Sequence, residues 1–237
     1  MTRAPIAVAL DAPDLETTRS WAFAVAPHVQ CLKVGLEVFC REGPAVVQLA
    51  RSAAAEAGQP DIDLFVDLKL HDIPATVHKA AGALKGLRPV YVTVHAAGGP
   101  EMIHAAATAL PDTRITAVTV LTSLDSQTIV ELGLAGSPLD VVVRWSQMAV
   151  AAGARALVCS PQEVAAVRDV VGGDVTLITP GVRPVGADSD DQRRVATPEQ
   201  ALADGADLLV IGRPITGQPD PGYAAAAIAE SLSPGRE

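Results

Sequence analysis

The chain has 237 residues, 49% hydrophobic and 19% charged, so it is long enough to bury a sizeable core. Its formal net charge of -9 and isoelectric point near 5.0 argue against a general nucleic-acid surface or an acidic-membrane surface, since both need a basic footprint. No run approaches the ~20 apolar residues of a membrane span, and the first residues lack a signal-peptide pattern. We therefore expect no nucleic-acid or membrane partner and a cytoplasmic location.

Three cysteines, Cys31, Cys40 and Cys159, are widely spaced along the chain. This spacing favours reduced thiols over a disulfide framework or a zinc site. We expect all three to be buried as small hydrophobic side chains.

Short β-branched runs alternate with alanine-rich stretches of helical length throughout the chain. The predicted strands span residues 6–10, 31–34, 64–68, 90–94, 115–121, 156–159, 175–179 and 208–211, and a segment able to form a helix follows each. Runs that are apolar on both faces are typical of a parallel sheet covered by helices. The pattern shows no linker or composition break. We therefore predict one α/β domain over residues 1–237, a closed (β/α)8 TIM barrel, because such barrels typically need ~250 residues.

The predicted barrel requires polar chemistry at the carboxyl ends of its strands, where the active site of this fold lies. The sequence meets this requirement. The polar residues at or just after predicted strand ends are Asp11, Lys33, Asp67, Lys69, His95, Thr122, Arg183 and Arg213.

The third predicted strand ends in a charge cluster that interrupts its apolar pattern. Asp67 and Lys69 are two residues apart, so on a strand they share a face at a separation of ~6.6 Å. Asp72 falls just past the strand, where Pro74 favours a helix start. Taken alone, Asp72 is about equally well explained as a carboxylate at a helix N-terminus. The chain has fourteen arginines but only four lysines, and two of the four, Lys33 and Lys69, lie at strand-end positions. A lysine kept there suggests a proton donor, a role that the permanently charged arginine fills poorly.

The last two strands predict a phosphate site. Gly212 lets the backbone approach a ligand, and Arg213 can bind two phosphate oxygens. Arg183 and Gln192 could reach the same anion, and residues 182–191 are predicted to form a lid. An ordinary surface loop and a tight turn are the alternative.

Seven sequence blocks together resemble the bacterial orotidine 5'-phosphate decarboxylase family. They are residues 9–11, 32–35, 67–74, 94–99, 121–123, 179–184 and 211–216, in this order. Ala75 departs from the bacterial pattern, which commonly has Asn there.

The resemblance implies decarboxylation of orotidine 5'-phosphate to uridine 5'-phosphate with neither metal nor cofactor. It assigns Lys69 as the acid that protonates the carbanion and places Asp67 against the substrate carboxylate. Lys33 and Asp72 complete the charged array, and Asp72 reaches the neighbouring subunit's site, which implies a homodimer. The implied substrate-binding residues are Asp11, Lys33, Asp67, Ile73, Thr76, Thr122, Pro180, Arg183, Gln192, Gly212 and Arg213.

Two histidines within these blocks are interpreted as structural. His95 lies close to the barrel mouth, but packing or hydrogen bonding is favoured over acid-base catalysis. His71 is interpreted in the same way.

Two other functions remain open at this stage. One is a magnesium-dependent sugar-phosphate decarboxylase or aldolase of the same barrel group, which resembles this chain less because it has a metal-binding glutamate where this chain has Lys33. The other is a non-catalytic nucleotide-phosphate sensor, for which a full set of buried charges would be costly.

Overall fold

Eight parallel strands close into a barrel in the computed structural model, which describes residues 3–183 and 196–232. They are β1 (Ala4–Ala9), β2 (Val29–Val34), β3 (Asp63–Leu70), β4 (Tyr91–His95), β5 (Arg114–Val118), β6 (Ala156–Val158), β7 (Thr176–Thr179) and β8 (Leu208–Ile211). The strands pair in chain order, and β8 pairs back in parallel with β1. The predicted TIM barrel is confirmed.

Helices follow the strands and cover the outside of the barrel. They are α1 (Leu15–Val25), α2 (Leu36–Glu42), α3 (Ala45–Glu56), α4 (Pro74–Ala83), α5 (Gly99–Ala109), α6 (Ser126–Glu131), α7 (Pro138–Ala151), α8 (Val164–Val171), α9 (Pro198–Ala203), α10 (Arg213–Thr216) and α11 (Pro221–Ser231). Single 3-10 turns occupy Lys85–Leu87, Ala96–Gly98 and Pro161–Glu163. Pro74 begins α4, as predicted, because its fixed φ suits the first helical turn and its missing N–H is not needed there. Within the described residues, none of these helices has the length and apolar character to span a bilayer.

Apolar side chains form two cores on either side of the sheet. The larger core lies between strands and helices, and the smaller one fills the barrel interior around Phe65 and Tyr91. Their rings meet edge to face, with centroids 5.7 Å apart. These two cores explain why the strands are apolar on both faces, because a closed parallel barrel leaves neither face of its sheet in water.

The predicted end of the fifth strand was wrong. The prediction ran from residue 115 to 121, whereas β5 ends at Val118. The apolar run continues because Val120 and Leu121 line a cavity at the barrel mouth. A ligand-facing wall and a buried strand therefore gave the same sequence pattern.

The prediction for the cysteines was correct for only two of the three. Cys31 and Cys159 are buried, but Cys40 is exposed on α2, and all three are free thiols. The cytoplasmic location stays a prediction.

Arg168 fastens the amino-terminal ends of β7 and β8. Its guanidinium donates to the carbonyls of Val175 at 2.9 Å and Gly205 at 2.8 Å. It also pairs with Asp207 at 2.6 Å, and that carboxylate accepts the backbone N–H of Leu177 at 2.7 Å. One side chain thus satisfies backbone carbonyls just before both β7 and β8.

We expect Arg168→Ala to lower the free energy of unfolding by about 2–3 kcal/mol, because several charge-assisted hydrogen bonds to backbone carbonyls are lost together. Urea denaturation followed by circular dichroism measures the change. The control is Arg144→Ala, since Arg144 is exposed and donates to one carbonyl, that of Ala135. A loss in the control equal to that in Arg168→Ala would contradict the anchoring role.

Candidate active site

A cavity of about 370 Å³ opens at the carboxyl ends of the strands. This volume lies within the range of small-molecule sites. Its charged wall comes from β1, β2 and β3, its apolar wall from β5 and β6, and a third side from the segments after β7 and β8. The lining residues include Asp11, Lys33, Asp67 and Lys69; Val118, Thr122, Val158 and Cys159; and Pro180, Arg183, Gly212, Arg213 and Thr216.

Asp67 lies between two lysines in this cavity. Its Oδ1 is 2.8 Å from Lys69 Nζ, and its Oδ2 is 3.2 Å from Lys33 Nζ. Lys33 Nζ is also 3.6 Å from Asp11 Oδ1. Because β1, β2 and β3 are neighbours in the barrel, the four side chains form a row of alternating charge. The prediction that Asp67 and Lys69 lie side by side is confirmed.

Burial and opposite charge compete at both of the most buried members of this row. Burial raises the pKa of Asp67, but the charges of Lys33 and Lys69 lower it by more, so the net pKa lies below the usual carboxyl range. Burial lowers the pKa of Lys33, yet Asp67 and then Asp11 outweigh it, and the net pKa is raised. At neutral pH the cavity therefore holds a buried anion and a buried cation that keep each other charged.

Gly35 makes room for the first two charges of the row. A Cβ at this position would overlap the Asp11 carboxylate and lie 3.1 Å from Lys33 Nζ. Any side chain there would displace one of these groups. Gly35 is therefore a requirement of the charged wall.

The backbone at Lys69 departs from regular strand geometry. Its φ is +50°, in the left-handed region that side chains other than glycine rarely adopt. The register of β3 on β4 slips here, since Val66 pairs with Val92 but Leu70 pairs with Val94. Strand alternation thus predicted correctly that Asp67 and Lys69 are neighbours, but the backbone that carries Lys69 is bulged.

The profile of the Orotidine 5'-phosphate decarboxylase / HUMPS family matches residues 4–228 of the chain. The chain belongs to this family.

Individual relatives of this family cover almost the whole chain. A protein of Thermobifida fusca named orotidine 5'-phosphate decarboxylase is 65% identical over 229 residues, which are 97% of this chain and 96% of the relative. A protein of Frankia casuarinae with the same name is 57% identical over 98% of this chain and 88% of its own length. The crystal structure of orotidine 5'-phosphate decarboxylase from Lactobacillus acidophilus matches with a TM-score of 0.81 at 32% identity, covering 98% of this chain and all of that one.

The structure of this family member brings most of the predicted site residues to one cavity. Those that line it are Asp11, Lys33, Asp67, Lys69, Thr122, Pro180, Arg183, Gly212 and Arg213. Gln192 lies outside the described residues, as does most of the predicted lid over residues 182–191. The individual roles of these residues stay predictions.

Three predicted site residues lie outside the cavity of the single chain. Asp72 and Thr76 are exposed, and the Ile73 side chain is 67% exposed. The Asp72 carboxylate accepts the backbone N–H of Ile73 at 2.6 Å, and among the described residues it forms no ion pair with a lysine of its own chain. Within the single chain these three residues thus lie apart from the cavity, and their site roles stay predictions.

His95 and His71 form a stacked pair beside the charged row. Their ring centroids are 5.4 Å apart, and Trp145 meets His95 edge to face. His95 Nδ1 accepts the backbone N–H of Ala97 at 3.2 Å. Burial, then His71 and Lys69, lower the pKa of His95, which keeps it neutral near pH 7. This packing agrees with a structural role.

Sequence reasoning missed two parts of this site in the family member. The apolar wall residues Val118, Val158 and Cys159 belong to runs that were interpreted only as strand core. Thr93 was also missed, because a buried threonine within a strand gives no signal on its own. It donates a hydrogen bond to Asp67 and accepts one from the backbone of Lys69.

We expect Lys33→Met to raise the pKa of Asp67, because Lys33 is one of the two charges that hold it down. A ¹³C NMR titration of the Asp67 carboxyl measures the change. A depressed folded-state pKa stabilises the fold above the unfolded value of about 3.9, and this gain disappears as the pH falls through the folded-state pKa. The stability advantage of the parent over the variant should therefore narrow below about pH 4.

The matched control is Lys79→Met, which removes an exposed lysine on α4. It should leave the Asp67 titration unchanged. An unshifted Asp67 in Lys33→Met would contradict the electrostatic account of the charged row.

Proposed function

We propose that this chain converts orotidine 5'-phosphate to uridine 5'-phosphate and carbon dioxide, using neither a metal ion nor an organic cofactor. The observation that supports this best is the row of Lys33, Asp67 and Lys69 in the mouth of a barrel that belongs to this family. The 65% identity to a protein named for this activity supports the same substrate.

In the proposed reaction Lys69 is the proton donor. The bond between the ring carbon and the carboxylate carbon breaks, and its electron pair stays on the ring carbon as carbon dioxide leaves. A proton from the Lys69 ammonium then forms the new C–H bond, and the neutral amine regains a proton from solvent. The ammonium also stabilises the developing carbanion, since opposite charges attract more strongly in a water-poor cavity.

Asp67 has two proposed roles in this step. Its contacts with Lys33 and Lys69 hold both ammonium groups in place. It would also lie against the substrate carboxylate, where two like charges ~4 Å apart repel by ~4 kcal/mol at an effective dielectric of about 20. Departure of neutral carbon dioxide relieves this repulsion.

The remaining cavity residues are proposed to bind the nucleotide. Asp11 would bind a ribose hydroxyl beside Lys33, and Thr122 would contact the pyrimidine amide. Gly212, Arg213 and Arg183 would hold the phosphate together with Gln192. Ile73, Thr76 and Pro180 complete the proposed substrate-binding set. The phosphate is remote from the reacting carbon, but its binding energy can orient the ring for reaction.

We propose that two copies of the chain form a homodimer in which Asp72 completes the partner's charged row. Asp72 has no lysine partner within the described part of its own chain, while Lys69 is one-third exposed. Ile73, Leu36 and Leu121 are exposed apolar side chains at the same end of the barrel. A second chain covering them would bring an acidic side chain toward the mouth of the site.

Lys33 argues against the magnesium-dependent members of the same barrel group. Its ammonium lies 3.2 Å from Asp67 Oδ2, so a cation already occupies the position where those enzymes place a metal-binding carboxylate. A non-catalytic sensor is less well supported, because phosphate binding alone does not require a row of four charges of which two, Lys33 and Asp67, are buried.

The purified protein, treated with EDTA and desalted, should decarboxylate orotidine 5'-phosphate. Loss of the orotate absorbance measures turnover, and uridine 5'-phosphate is identified by chromatography. Added magnesium should leave the rate unchanged, since no step of the proposed reaction uses it. Absence of turnover, or turnover only with magnesium, would refute the cofactor-free reaction.

Mixing inactive Asp72→Ala and Lys69→Ala subunits should restore activity. In a hybrid dimer one site has both defects and the other has neither, so random mixing returns about a quarter of all sites to the intact state. Turnover of orotidine 5'-phosphate after mixing is compared with turnover of each variant alone. If mixed subunits are shown to exchange and activity stays absent, Asp72 does not act across the interface.

A further inference from the structure

Thr93 connects two members of the charged row without lining the cavity. It lies on β4 and is fully buried. Its Oγ1 donates to Asp67 Oδ1 at 3.0 Å, and it accepts the backbone N–H of Lys69 at 2.8 Å. The directions are fixed, because an ionised carboxylate can only accept and a backbone N–H can only donate.

The first of these bonds fixes the Asp67 carboxylate. Asp67 Oδ1 also accepts the hydrogen bond from Lys69 Nζ at 2.8 Å. Two donors on the same oxygen, the Thr93 hydroxyl from β4 and the Lys69 ammonium, hold the carboxylate in one orientation. The position of Lys69 Nζ is then set by an oxygen that is itself anchored to the neighbouring strand.

The second bond fixes the backbone that carries Lys69. Between the Val66–Val92 and Leu70–Val94 pairs, β3 bulges away from the ladder with β4. The Thr93 hydroxyl accepts the Lys69 N–H at this interruption. It thereby supports a φ of +50°, a conformation that a lysine disfavours on its own.

We propose that Thr93 is a positioning residue for proton donation by Lys69, holding both the bulged backbone of the lysine and the carboxylate that its ammonium contacts. This inference rests on the proposed function. Thr93 does not reach the cavity, so it acts through Lys69 and Asp67 and not through contact with the substrate.

Removing the hydroxyl should slow the reaction and leave binding nearly intact. We expect Thr93→Val to lower kcat by about 10- to 100-fold, because small misplacements of a reacting group have effects of this size. KM should stay within about threefold, since the predicted ribose and phosphate contacts are unchanged. Thr93→Ser, which keeps the hydroxyl, should recover most of the lost kcat. Thr93→Ala, measured in parallel, removes the hydroxyl without placing a methyl group against the carboxylate.

The matched control is Thr116→Val. Thr116 is also fully buried and lies opposite Thr93 in the register of β4 and β5. Its hydroxyl donates to the Arg114 carbonyl at 3.0 Å, away from the charged row. Thr116→Val should therefore keep the parent kcat.

Kinetics and a crystal structure together decide the proposal. A hydroxyl-free variant within about twofold of the parent kcat, a serine variant as slow as valine, or a control as slow as Thr93→Val would overturn it. In crystals of Thr93→Val or Thr93→Ala we expect Lys69 to change φ or its Nζ to move from Asp67. An unchanged geometry at both residues would equally overturn the proposal. The crystal structures can be compared even if the parent does not turn over orotidine 5'-phosphate. Failure of the proposed function can therefore be distinguished from failure of the positioning role of Thr93.

Discussion

The charged wall of this barrel depends on one buried carboxylate, that of Asp67, held between two ammonium groups. An uncompensated charge at this depth would be costly, and removal of either lysine would leave part of that cost unopposed. The neighbouring features follow from this requirement. Gly35 leaves space for the Asp11 and Lys33 side chains, and Thr93 supplies the carboxylate with a further donor. The site is thus a set of groups that are charged because of one another.

The barrel topology explains how residues distant in sequence form this set. Strands β1, β2 and β3 are adjacent, so their carboxyl ends place Asp11, Lys33 and Asp67 in strand order. Closure of the sheet then makes β8 the other neighbour of β1. The arginine after β8 therefore reaches the same cavity as the lysine of β3. In the proposed complex the phosphate lies near β8 and the substrate carboxylate near β3, so the order of the strands around the barrel sets where each end of the ligand binds.

The sequence predicted the parts of this arrangement that depend on repetition and chain order. Alternating apolar runs indicated the barrel, and the strand ends indicated Lys33, Asp67 and Lys69. It could not predict the bulge at Lys69, because register is decided by the pairing of β3 with β4 and not by either strand alone. The role of Thr93 could not be predicted for the same reason, since its hydrogen-bond partners lie 24 and 26 residues away in the sequence. The position of Asp72 outside the cavity depends on how the chain leaves β3, which strand periodicity does not encode.

The left-handed backbone at Lys69 places two demands on one residue. Glycine would adopt this conformation without steric cost, whereas the proposed reaction needs an ammonium group there. Position 69 is therefore a site where selection for a more stable fold and selection for activity oppose each other. A substitution chosen only for stability would favour glycine and delete the proposed acid. Engineering for thermal stability should leave this residue alone and strengthen the barrel at sites remote from its mouth.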